Sequence, residues 1–116
     1  MRIMRLIITR HGETLENQQG IMQGHIPGIL SKEGIIQAQK LAKKFLDEVL
    51  HQHKKETVLF VGHNGINKAL IAVITNKTSA DLPHIENHKN TSVNIYEIDE
   101  DRKHKIILFN CIKHLE

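Results

Sequence analysis

The sequence predicts an α/β fold: a three-layer α/β/α-type sandwich around a mixed, mostly parallel sheet of about four strands. Two short apolar, β-branched runs, Ile3 to Thr9 and Thr57 to Val61, each lead within two residues to a histidine. A stretch with helical spacing follows each of them, and two further strand-like runs close the chain. The order therefore reads β-α-β-α-β-β, and 116 residues at 40% hydrophobic content make one domain, residues 1–116, with a single core.

Ile3 to Thr9 is almost continuously apolar, the pattern of a buried parallel strand. Arg10 to Leu30 carries Gly12, Gly20, Gly24, Gly28 and Pro27, and reads as a functional loop. Ser31 then caps a helix, in which Ile35, Ala38, Leu41, Ala42, Phe45, Leu46 and Val49 recur at helical spacing. Thr57 to Val61 is the second strand. Gly65 to Ile74 is a short second helix, apolar on most sides and so expected to be well buried. Thr75 to Asn90 is polar and irregular, with Pro83 inside it. Ser92 to Ile98 is a strand, Asp99 to Arg102 a turn, and Lys105 to Phe109 the returning strand.

Composition removes several function classes. The net charge of +3 is modest, there is no Trp, one Tyr and three Phe, and Lys43, Lys44, Lys54 and Lys55 read as a solvated helix side and its exit. Nucleic-acid binding, which needs a basic track and stacking rings, is not expected. No apolar run approaches the ~18 residues of a membrane span, so no membrane partner is expected. The single cysteine, Cys111, allows no internal disulfide and fits a reducing compartment. With no signal-peptide pattern at the amino terminus, a cytoplasmic location is expected. His84-x-x-x-His88 and His51-x-His53 have spacings that could hold zinc, but Pro83 breaks the first and a helix end explains the second. No metal and no nucleotide cofactor is expected, since neither glycine-rich nucleotide fingerprint occurs.

Thr9-Arg10-His11-Gly12-Glu13-Thr14 follows the first strand, and Val61-Gly62-His63-Asn64-Gly65 ends the second. Two strand-end histidines suggest one pocket at the carboxyl edge of the sheet. A neutral histidine of fixed tautomer can attack phosphorus and carry the phosphoryl group. The phosphoryl oxygens then need fixed positive donors, because positioning and charge stabilisation do most of that catalysis. Arg10 offers a planar fork, Gly12 lets the backbone approach, and Asn17 offers an amide. His63 and the adjacent Asn64 are further candidates for holding phosphate.

These residues resemble the histidine phosphatase superfamily, which includes the cofactor-dependent phosphoglycerate mutases. Arg10 to Thr14 with Asn17 looks like its opening motif. Gln23-Gly24 and Leu30 to Gly34, with Gln37-Ala38 and Leu41-Ala42, resemble its next segment. Val61 to Gly65 resembles its second histidine motif, and Asn90 to Val93 with Asn110 to Leu115 its last strands. The resemblance implies a reduced phosphoglycerate mutase-like fold. By it His11 is the phosphoryl-accepting nucleophile, held with Arg10, Asn17 and His63 around the phosphate.

The pattern breaks between Leu50 and Thr57, where the family usually has several tens of further residues. No Ser-Ser-x-x-x-Arg-Ala segment occurs, so the family's second phosphate-binding arginine and its acid for the leaving group are both missing. The helix from Lys32 to Lys54 reads as a fusion of two helix ends. Losing one charged donor costs about two to three orders of magnitude in rate. Losing a general acid costs roughly another 10²–10⁴ for poor leaving groups. Glu13 is the nearest replacement by sequence, and is carried as a catalytic candidate. Glu86 and His88 belong by default to a solvated loop.

The resemblance also places the missing strand beside Ile3 to Thr9, leaving that strand as an apolar edge. Self-association, as a homodimer, is therefore expected. The expected function is a metal-independent phosphatase acting on phosphomonoesters or protein phosphohistidine, through a phosphohistidine on His11 and with reduced activity. The alternative is a catalytically impaired phosphate-binding or regulatory module of the same fold.

Overall fold

The computed structural model describes residues 2–10 and 32–115. Its elements are β1 (Ile3–Arg10), α1 (Lys32–Gln52), β2 (Thr57–Gly62), α2 (Asn64–Ile74), β3 (Val93–Asp99) and β4 (His104–Cys111). The stretch read as irregular contains a 3-10 turn at Ser79–His84, and a second short one follows β4 at Lys113–Leu115.

The strands form a four-stranded sheet in the order β2-β1-β3-β4. β1 runs parallel to β2 and antiparallel to β3, which is antiparallel to β4. The sheet is mixed and four-stranded as expected, with antiparallel pairings outnumbering the parallel one. The closing hairpin is the cause, because it lays β3 against β1.

That same hairpin corrects the expectation for β1. Read as an apolar edge, β1 is instead interior, bonded on one side to β2 and on the other to β3. The argument for pairing two copies through β1 falls with it. Among the described residues the edges are β2 and β4. On β2, Leu59 and Val61 are 62% and 57% exposed.

Burial along β1 alternates: Met4, Leu6 and Ile8 are buried while Ile3 and Arg5 are exposed. This is a half-buried strand, not one covered on both faces. The physical reason is that both described helices pack into one core with Met4, Leu6, Ile8, Tyr96 and Ile98. On α1 the buried stripe is Ala42, Leu46 and Val49, at i, i+4 and i+7. Leu41, expected on that stripe, lies about 100° round the helix and is exposed. Beside the stripe the Phe45 ring tilts against Phe60 with centroids 4.9 Å apart. Each fully buried Leu or Ile contributes about 1.5–3 kcal/mol.

α2 is buried on most sides, as its composition predicts, through Ala69, Leu70, Ile71, Ala72 and Ile74. It begins immediately after β2, and Gly62 makes that junction possible. A Cβ on Gly62 would lie 2.5 Å from Asn67 Oδ1 and 2.7 Å from the Phe60 ring. No helix among the described residues is long and apolar enough to cross a membrane.

Candidate active site

The register of the parallel pair brings the two histidine motifs to one level. Arg10 pairs with Gly62, so β1 and β2 end side by side at the carboxyl edge of the sheet. His63 follows Gly62 directly. It has extended backbone (φ −96°, ψ 163°), stands at the N-cap of α2, and its carbonyl accepts the Asn67 N–H at 2.9 Å. The first turn of α2 carries no acidic residue, so its positive dipole end is not offset there. His11, Glu13 and Asn17 lie outside the described residues, so of the expected site residues Arg10, His63 and Asn64 are the ones placed.

A clasp of asparagines fixes this edge. Asn64 uses both ends of its amide: Oδ1 accepts the His88 N–H at 2.9 Å, and Nδ2 donates to Asn87 Oδ1 at 3.0 Å. Asn67, fully buried on α2, donates to the Thr9 carbonyl at 3.2 Å. Asn94, fully buried on β3, donates to the Ile8 carbonyl at 3.1 Å and accepts the Asn110 N–H at 2.8 Å. Asn110, at φ 49°, accepts the Lys89 N–H at 3.0 Å and donates to the Asn87 carbonyl at 3.3 Å. Residues 87–91 are thereby strapped to the ends of β1, α2 and β4. Asparagine suits this work because one short side chain both donates and accepts, and it tolerates positive φ.

Arg10 is held at both its backbone and its side chain. Its carbonyl accepts the Thr91 N–H at 2.8 Å, and its Nη1 donates to the His88 carbonyl. Its Nε is buried without a partner among the described residues. Burial lowers the guanidinium pKa below its usual value. Lys68, one turn along α2 from Asn64, is lowered by burial and then by the positive charge of Arg10.

His88 departs furthest from its expected place. A solvated-loop residue by sequence, it is 1% exposed, with its ring 6.0 Å from that of Phe109 in an edge-to-face arrangement. Burial, then Lys68 and Arg10, push its pKa down to about 4, so the ring is neutral near pH 7. Neither ring nitrogen has a partner among the described residues. Glu86, its neighbour in the same loop, is exposed as expected.

Lys68 and the asparagines at 67, 87, 94 and 110 were not singled out from sequence. A signal existed for two of them. Asn67 interrupts an apolar helix, and Asn94 falls on the buried parity of its strand, where a polar residue needs a reason.

A sequence model of the family described as histidine phosphatase superfamily (branch 1) matches residues 6–47 and 42–111. The two stretches overlap at 42–47, within α1, as expected of a helix that joins two parts of the family's pattern. Bacillus stearothermophilus YhfR is similar in structure at a TM-score of 0.71 and 17% identity, covering 97% of this chain and 100% of that one. A mycobacterial glucosyl-3-phosphoglycerate phosphatase complexed with VO3 gives 0.66 and 15%, with 97% and 100% covered. A phosphoserine phosphatase mutant from Entamoeba histolytica, in complex with phosphoserine, gives 0.65 and 15%, again with 97% and 100% covered. At these identities the likeness is one of fold. No curated protein sequence matches the chain.

Proposed function

The chain belongs to the histidine phosphatase superfamily (branch 1), and on that premise we propose that it is a metal-independent phosphatase with His11 as nucleophile. Family membership supports phosphatase-type chemistry. The observation that most favours the finer reading is the pairing of Arg10 with Gly62, which ends the two motif-bearing strands at one sheet edge.

In the proposed reaction a neutral His11 nitrogen attacks phosphorus and the ester P–O bond breaks. The leaving oxygen departs with the bonding pair and takes up a proton. Water then attacks the phosphohistidine, the N–P bond breaks, and inorganic phosphate leaves with His11 restored. Arg10 and His63 stabilise the charge that builds on the phosphoryl oxygens, helped by the amino end of α2.

Substrates whose leaving group needs little protonation suit this site best: aryl phosphates as probes, and small phosphomonoesters of low leaving-group pKa or protein phosphohistidine as natural classes. With the family's usual acid segment missing from the sequence, turnover of alkyl esters is expected to be slow.

The test is hydrolysis of an aryl phosphate in EDTA, comparing the parent with His11→Ala at matched purity. Activity that vanishes with His11 supports the reading. Absence of His11-dependent activity in a folded protein points to a phosphate-binding module instead.

A further inference from the structure

Two cations at the carboxyl edge have no counter-charge among the described residues. Arg10 directs Nη1 at a backbone carbonyl, leaves Nε buried without a partner, and makes no ion pair among the described residues. Lys68 makes none either. It follows Asn64 by four residues on α2, on the same side of the helix, and Asn64 grips the His88 N–H. The His88 carbonyl in turn receives Arg10. A chain of contacts thus carries the Arg10 guanidinium to the helix face on which Lys68 stands.

Uncompensated positive charges held close together destabilise a fold, and their field concentrates where an anion can enter. The Lys68 ammonium is lowered by burial first and then by the positive charge of Arg10, in keeping with that placement. A phosphoryl dianion carries about two negative charges. Arg10 supplies one positive charge in a fixed planar fork. Lysine supplies the other as a compact charge on a flexible stem, suited to closing on an oxygen that the fork does not reach.

We propose that Lys68 is a second cationic ligand of the phosphoryl group, working beside Arg10 and supplying the charge that the absent second arginine leaves wanting. The inference rests on the phosphate-pocket reading of the same edge, and it assigns the lysine a contact with the bound anion. His88 stays a positioning residue: its backbone holds Arg10 and Asn64, while its buried neutral ring adds no third positive charge between them.

The experiment measures binding of inorganic phosphate by calorimetry to the full chain as parent, Lys68→Met, Lys68→Arg and His11→Ala, with aryl phosphate kinetics on the same samples. Lys68→Met is expected to weaken phosphate binding and lower kcat/KM by about 10- to 100-fold, the range for a charged hydrogen bond. Lys68→Arg, which keeps the charge, is expected to recover most of that loss. Equal phosphate affinity in parent and Lys68→Met overturns the proposal, as does failure of Lys68→Arg to recover anything.

In the parent itself, phosphate is expected to slow acetylation of Lys68 by acetic anhydride, read by peptide mass, and no slowing also overturns it. The two readings separate cleanly. Lys68-dependent phosphate binding without His11-dependent turnover keeps this inference and removes the phosphatase. Turnover that needs His11 but ignores Lys68 does the reverse.

Discussion

Arginines at opposite ends of this sheet meet opposite surroundings. Where β1 begins, Arg2 pairs with Glu100 at 3.4 Å, Arg5 with Glu97 at 3.0 Å, and Arg102 with Asp47 at 2.7 Å. All three pairs are at least partly exposed, the ordinary setting of surface ion pairs. Where β1 ends, Arg10 is half-buried, with Nη1 on the His88 carbonyl, Nε buried, and no acid paired with it among the described residues. Among the described residues, asparagines and not carboxylates hold that edge. A neutral amide fixes the backbone without offsetting a positive charge, which suits an anion site.

The largest difference between the two ends should appear in catalysis. Arg10→Ala is expected to lower kcat on aryl phosphates by about 10²–10³, the usual cost of one oxyanion donor. Arg5→Ala, on the same strand, should leave kcat within about twofold, since its pair is exposed and far from the edge. Equal losses from both would end the contrast.

Next in size is the clasp. Asn94→Ala removes partners from the Ile8 carbonyl and the Asn110 N–H, both near the core. It is expected to lower unfolding free energy by about 2–4 kcal/mol in urea titrations. Arg102→Ala, which breaks the Asp47 pair at the other end, should cost under about 1 kcal/mol.

Acid should expose the buried edge in particular. In the unfolded chain His88 takes a proton near the ordinary histidine value of 6.5, and in the fold, where it is buried, only at about 4. Between those values the unfolded state holds the extra proton, so stability falls as pH drops from 6.5 towards 4. Arg10 and Lys68 face the ring with positive charge and oppose its protonation throughout. The loss is expected to be about 1–3 kcal/mol, and His88→Gln should flatten that part of the stability profile.

Much of the fold was legible because periodicity reports local structure. All four strands and both helices lie within a few residues of where spacing and apolar runs place them. What periodicity does not carry is which strands become neighbours. Nothing in Val93 to Asp99 says that it will insert beside β1, and the edge expected there followed from that gap. The site was legible where two motifs end two parallel strands. His88 and Lys68 were not, because their burial and charge environment come from a clasp assembled out of four separate elements. A histidine between Asn87 and Lys89 looks like any solvated loop residue until Asn64 holds its N–H and Asn110 holds its two neighbours.

The central claim is that His11 carries the phosphoryl group beside this positive edge. It is tested most directly by acid-free rapid quenching during aryl phosphate turnover, followed by mass analysis of the intact chain and its peptides. The account predicts one acid-labile, base-stable phosphoryl group on His11, reduced in Arg10→Ala and absent in His11→Ala. Turnover that persists with no phosphoryl group on His11, or with it on another residue, would contradict the account.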